Sequence, residues 1–301
     1  MTRPITDIAG EVTRLMVRKL EQGVVPWQRP WALTGEGGRP LRHEGTPYTG
    51  INCPWLWAMA DAHGYRSRYW MTARQAQELG GCVRSGATPT ISIYASTFRK
   101  AGTSPLTGEA TSRMIRFLRS YLVYNADEID GLPPWYYPRD IAPTPQLISE
   151  RQEAISAFFD PIPAEVRHGG DRAYYAIFPD RIQMPKPETF RTIDAYWGCR
   201  AHETAHWSGG PTRLDRTFGK RLGDKAYAVE ELVAELSSAM VCAELGLPTE
   251  LHENHASYIG HWIDVLKADK SAIFLASSKA EQAVTFLRNF GAAREALATA
   301  A

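Results

Sequence analysis

Cysteine is scarce in this sequence. Its four cysteines, Cys53, Cys82, Cys199 and Cys242, are spread along 301 residues without a Cys-x-x-Cys pair. That excludes a disulfide-stapled secreted scaffold and a thiolate zinc finger. Long apolar runs are missing too. The longest, Ile51 to Ala60, has about half the ~20 residues of a membrane span and is broken by Asn52 and Pro54. The first 25 residues lack the apolar centre of a signal peptide; Ile5, Ile8, Val12, Leu15 and Met16 instead fall at helical spacing. These absences point to a cytoplasmic protein with no membrane partner. The lack of internal repeats and low-complexity tracts excludes a solenoid.

Net charge is scarce only on average. The whole chain carries 34 Lys+Arg against 33 Asp+Glu, a balance that by itself argues against a polyanion partner. Residues 1–125, however, hold 16 basic and 8 acidic side chains, and residues 126–301 hold 18 and 25. The surpluses, +8 and −7, cancel. Such asymmetry between halves indicates nucleic-acid contact by the basic half. The change of sign coincides with a segment bearing Pro133, Pro134, Pro138, Pro143 and Pro145 and five acidic residues. The expected organisation is therefore a domain over 1–125, a Pro-rich acidic linker over 126–148 and a second domain over 149–301, in a monomeric α+β protein. Alternating runs at Thr90–Tyr94 and Tyr121–Tyr124 predict strands in the first domain, with a helix near Thr72–Leu79. The second reads as mainly helical with a small sheet. Helices are expected over Gln146–Phe159, Thr189–Ser208, Lys225–Leu245 and, as a pair, His255–Arg294, with extended segments at Ala173–Phe178 and Arg181–Met184.

The strongest chemical signal is His202-Glu203-Thr204-Ala205-His206, an HExxH on a helix that stops at Gly209-Gly210-Pro211. Residues four apart share a helix face, so the two imidazoles can occupy adjacent corners of one tetrahedral metal, and Glu203 can act as general base. A third ligand is needed. The extended HExxHxxGxxH pattern fails, because Thr212 stands where its third His belongs. A Glu from the next helix is the alternative. Glu231 is preferred over Glu230 as ligand, and Glu235, one turn on, is placed on the other nitrogen of a ligand His. The expected cofactor is one Zn2+ per chain, with another divalent metal such as Mn2+ suited by the same donors. His255 and Tyr258, with Tyr227, are candidates for steadying an oxyanion opposite the metal. Cys199, three residues before His202, is a candidate for packing before ligation.

The basic half interleaves aromatic and cationic residues. Single-stranded nucleic acid is held by aromatic faces that stack on bases and by cations that follow the backbone. Trp27, Arg29, Trp31, Tyr48, Asn52, Arg66, Arg68, Arg74, Arg84, Arg99 and Lys100 are the candidate contacts, with Tyr94, Phe98, Arg113, Arg116 and Arg119 nearby. No zinc-finger, helix-turn-helix or RRM signature is present, which favours binding without sequence preference.

Taken together, the two halves resemble the ArdC family of plasmid antirestriction proteins, whose N-terminal domain is shared with TraC-type conjugative primases. The resemblance rests on Pro26-Trp27 with Pro30-Trp31, Tyr48-Thr-Gly50-Ile51-Asn52, Gly80-Gly-Cys-Val-Arg84, Val123-Tyr-Asn125, Asp180-Arg-Ile-Gln-Met184-Pro185, the run His202 to Trp207, Glu230-Glu-Leu-Val-Ala-Glu235-Leu236 and His255-Ala-Ser-Tyr258-Ile259. It implies an N-terminal domain that binds single-stranded DNA and a C-terminal domain of zincin-like metallopeptidase fold. It also implies protection of incoming conjugative DNA from host restriction. A restriction-modification component or another DNA-bound protein would be the peptidase substrate. Two other readings stay open: a repair protease acting on proteins crosslinked to DNA, and a pure strand-binding protein with a structural metal site.

Overall fold

The computed structural model describes residues 8–27, 38–103, 110–138, 144–219, 224–248 and 256–300. The N-terminal helix α1 spans Ile8–Glu21 and buries Ile8, Val12, Met16 and Leu20; of the stripe expected from its spacing, Leu15 is half-buried and Ile5 lies outside the described residues. The apolar run that is too short for a membrane becomes α2 (Asn52–His63), which buries Asn52 to Ala58 and Ala60. A helix buried on nearly all sides shows no amphipathic period, which is why periodicity did not predict it. Pro54 is tolerated in its first turn, where backbone N–H groups have no partner within the helix. Gly64 ends it at φ 70, a left-handed conformation that favours glycine.

Two short strands, β1 (Leu41–Arg42) and β2 (Tyr69–Met71), precede α3 (Ala73–Glu78), which Thr72 and Gln75 cap reciprocally. After β3 (Cys82–Val83), the chain forms a long antiparallel ribbon from β4 (Thr90–Thr103) and β5 (Ala110–Asn125), in register from Thr90↔Val123 to Thr103↔Ala110. The sequence marks only the ends of this ribbon, where apolar alternation is clean. The sheet order is β1-β2-β5-β4. The first part of the Pro-rich segment packs beside it. Its β6 (Ile129–Asp130) pairs with β3, and Ala126, Ile129, Leu132 and Tyr136 share a small core with Met71 and Ala76.

The C-terminal half begins with α4 (Pro145–Phe159). A three-stranded sheet follows, β7 (Glu165–His168), β8 (Tyr174–Ala176) and β9 (Arg181–Met184), in the order β7-β9-β8. Four helices complete it: α5 (Ile193–Ser208), α6 (Lys225–Glu244), α7 (Ala256–Ala268) and α8 (Ala272–Ala300). Thr192 and Asp224 cap α5 and α6 through their side-chain oxygens, so both helices start where Thr or Asp can accept an otherwise unpartnered N–H. No helix among the described residues is long and apolar enough to cross a membrane.

This two-domain α+β chain has one continuous hydrophobic core running from α1 and α2 into α6, α7 and α8. Trp27 packs on Trp262 with ring centroids 5.7 Å apart, and Thr13 Oγ1 donates to the Lys270 carbonyl at 2.9 Å. The buried Arg39 guanidinium reaches across to Glu281, with Nη1 to Oε1 at 3.0 Å, and lies 3.3 Å from Glu244.

Candidate metal centre and nucleic-acid surface

Helices α5 and α6 lie against each other and bring the HExxH face to the acidic face of α6. His202 Nε2 and His206 Nε2 are 3.1 Å apart, and the Glu231 carboxylate lies 3.6 Å from each of them. Two corners of a tetrahedral zinc site with ~2.0 Å bonds are about 3.3 Å apart, so the three donors already have the spacing of one metal. They are also the one group of three or more metal-ligating side chains found among the described residues.

The far side of each imidazole faces a second carboxylate. His202 Nδ1 is 3.0 Å from Glu235 Oε1, and His206 Nδ1 is 3.3 Å from Glu230 Oε1. A proton on Nδ1 then satisfies each carboxylate and leaves the Nε2 lone pairs aimed at a common point, as metal ligation requires. Four carboxylates, Glu203, Glu230, Glu231 and Glu235, are buried here; Arg216 pairs with Glu230, and a divalent cation would offset charge on the others. Burial opposes ionisation of the imidazoles, yet contact with Glu231 and Glu235 holds His202 well above its ordinary value. His206 is likewise pushed up, to about 9, because attraction to Glu231 and Glu230 outweighs its burial. Glu231 is held well below the usual carboxylate range; burial opposes this, and the charges of His206 and His202 prevail. The donor set thus attracts positive charge.

Glu203 lies beside the ligands, its pKa raised by burial against the pull of both imidazoles. The backbone of Tyr175 on β8, an edge strand of its sheet, lies beside Glu203. Tyr227 lies near Glu231; burial, the Tyr258 contact and the charge of Glu231 hold its phenol above the ordinary value, and its hydroxyl is 3.0 Å from that of Tyr258. Tyr227 therefore stands against the ligand, with Tyr258 one hydrogen bond further out, stacked on Trp262. His255 lies outside the described residues. Cys199 is buried with its Sγ 4.0 Å from Met184 Sδ.

Two arginines beside the site, Arg213 and Arg216, are not anticipated from the sequence. Arg216 bridges Glu230 and the end of α5, and Arg213 joins Asp180 and Tyr175 to the Trp207 carbonyl. The available signal was Gly209-Gly210. Neither glycine has a positive φ; a Cβ would sit 2.7 Å from Arg216 Nη2 at Gly209 and 2.0 Å from Arg213 Nη2 at Gly210. These glycines leave space for guanidinium groups.

The candidate DNA contacts divide by burial. Trp27, Tyr48 and Asn52 are buried; Asn52 donates to the Ile93 carbonyl at 2.6 Å and accepts from its N–H at 2.8 Å, tying α2 to the ribbon. Arg74 and Arg84 are exposed and paired with Glu78 and Asp130, each at 2.9 Å. Arg68 packs over Gly38, and the Arg66 backbone N–H is 2.5 Å from Asp127 Oδ2. Arg99 and Lys100 lie on β4, in register with Met114 and Arg113. Arg29 and Trp31 fall outside the described residues. Exposed aromatic surface instead collects at the base of the ribbon, where Tyr94 stands opposite an exposed Arg119 and Tyr121 is exposed two residues on.

Comparison with known proteins agrees with both halves. Residues 6–124 match the family described as the N-terminal domain of anti-restriction factor ArdC, and residues 153–279 match that of zincin-like metallopeptidases. The crystal structure of antirestriction protein ArdC from plasmid R388, in its metal-free form, aligns at 39% identity and TM-score 0.77, covering 95% of this chain and 98% of that one. Its Mn(II)-bound form aligns at 38% and 0.74, with the same coverage. An uncharacterized protein, y4eC, of Sinorhizobium fredii (strain NBRC 101917 / NGR234) is 37% identical over 92% of this chain and 90% of its own length. A DNA primase TraC of Escherichia coli is 34% identical over 93% of this chain, which spans 27% of the primase.

Proposed function

This chain belongs to the ArdC antirestriction family, and from that membership we propose that it binds single-stranded DNA without sequence preference and shields incoming conjugative DNA from restriction. In this reading the second half is a divalent-metal-dependent peptidase acting on a protein bound to that DNA, and the protein works as a cytoplasmic monomer. The observation that carries the strand-binding part is the exposed Tyr94, Arg119 and Tyr121 of the β4–β5 ribbon, which offers bases a stacking face beside a cation for the backbone.

His202, His206 and Glu231 would hold Zn2+, or Mn2+, which supplies a Lewis acid that makes water a nucleophile near neutral pH. Glu203 takes a proton from the attacking water and delivers it to the leaving amine. Glu235 and Glu230 keep the imidazoles in one tautomer. Tyr227 and Tyr258 supply O–H donors beside the site. The edge of β8 offers main-chain groups to an extended peptide, which would lie across Glu203.

Transfer of a plasmid into a restricting recipient tests the whole reading. Tyr94→Ala with Arg119→Ala is expected to lose protection. Loss of protection in Glu203→Ala as well would show that peptidase chemistry is needed. Full protection by both His202→Ala and Glu203→Ala would make strand coating sufficient and remove proteolysis from the account of protection.

A further inference from the structure

Arg216 is buried in the turn that follows α5, and each of its three guanidinium nitrogens has a partner. Its Nε lies 2.9 Å from Glu230 Oε2 and Nη2 lies 2.7 Å from Glu230 Oε1, a two-point clamp on one carboxylate. Nη1 donates to Ser208 Oγ at 2.9 Å and Nη2 to the Ala205 carbonyl at 2.7 Å, anchoring the group to the last turn of the helix that carries both histidines. The clamped Oε1 is the atom that faces His206 Nδ1 at 3.3 Å. The space for this arrangement comes from Gly209, where any Cβ would collide with the guanidinium.

We propose that Arg216 is a positioning residue of the metal centre: by clamping Glu230 on His206 Nδ1, it orients the His206 Nε2 lone pair toward the point shared with His202 and Glu231. The inference rests on the metal-centre reading given above. Its physical basis is that a buried carboxylate without a fixed cationic partner rotates or turns toward the metal itself, and in either case stops holding the imidazole. A bidentate Arg–carboxylate pair prevents this because planar groups joined at two points have no free rotation. Lysine would match the charge without the fork. Arg213 is a natural control, since its guanidinium engages Asp180 and Tyr175 and leaves Glu230 alone.

The test uses the full chain, with Zn2+ affinity measured by chelator competition and the Co2+ absorption spectrum reporting ligand geometry. Arg216→Gln and Glu230→Gln are each expected to weaken Zn2+ binding roughly 10- to 100-fold and to alter the Co2+ bands. The double variant should be no worse than the weaker single, because both act through one imidazole. Arg213→Gln should bind Zn2+ as the wild type does. Should Arg216→Gln not fold, Arg216→Lys carries the same test, with weaker binding expected despite the retained charge. Wild-type affinity and spectrum in a folded Arg216 variant would overturn the inference, as would additive losses in the double variant. Metal binding that survives His202→Ala would overturn the metal-centre reading and this inference together; loss in His202→Ala with unchanged Arg216 variants would overturn this inference alone.

Discussion

The metal centre and the outer surface of the N-terminal half use arginine in opposite ways. In the C-terminal half, Arg213 and Arg216 are withdrawn from solvent and committed to carboxylates, with side-chain exposures of 9% and 4%. In the N-terminal half, Arg74 is 87% exposed and Arg119 lies on an open ribbon opposite Tyr94. A buried guanidinium fixes geometry, whereas an exposed one attracts mobile polyanions. The acidic excess of residues 126–301 divides similarly. Glu203, Glu230, Glu231 and Glu235 are interior groups arranged around a cation site, so regional net charge misstates what that half shows to solvent.

The comparison breaks most visibly at the metal. Glu231→Ala is expected to reduce metal content from about one ion per chain to almost none, because three protein ligands are the usual set for a catalytic zinc; metal analysis of the purified variant checks this. The shared core predicts the next effect. Trp262→Ala should cost about 3–5 kcal/mol and lower the stability of both halves in one transition, because Trp262 packs on Trp27. Separate melting of the halves in denaturant would contradict it. Tyr94→Ala should weaken oligonucleotide binding by ~1–3 kcal/mol, measured by anisotropy. The smallest effect is expected for Arg119→Ala, which should reduce the slope of log affinity against log salt by about 0.7.

Much of the C-terminal half was legible because its signals are local. The HExxH spacing and the carboxylates of α6 each lie within a single helix. Arg216 was not legible, since its partners Glu230 and Ala205 meet it only after the Gly209-Gly210 turn folds back. The N-terminal half was read less well at the level of residues. Trp27, Tyr48 and Asn52 have the chemistry of a strand-binding surface, yet they are buried, and composition does not distinguish an aromatic that stacks on bases from one that fills a core. Tyr94 and Arg119 come together through ribbon register, which depends on the long-range pairing of β4 with β5.

The central claim is that strand binding and metal binding occupy separate sites in one folded body. Anisotropy of a labelled single-stranded oligonucleotide over a salt series, comparing wild type, Tyr94→Ala/Arg119→Ala and His202→Ala, tests it most directly. Weakened binding with a shallower salt slope is expected only in the ribbon variant, with a His202→Ala curve that superimposes on wild type. Equal weakening in His202→Ala, or wild-type binding by the ribbon variant, would contradict it.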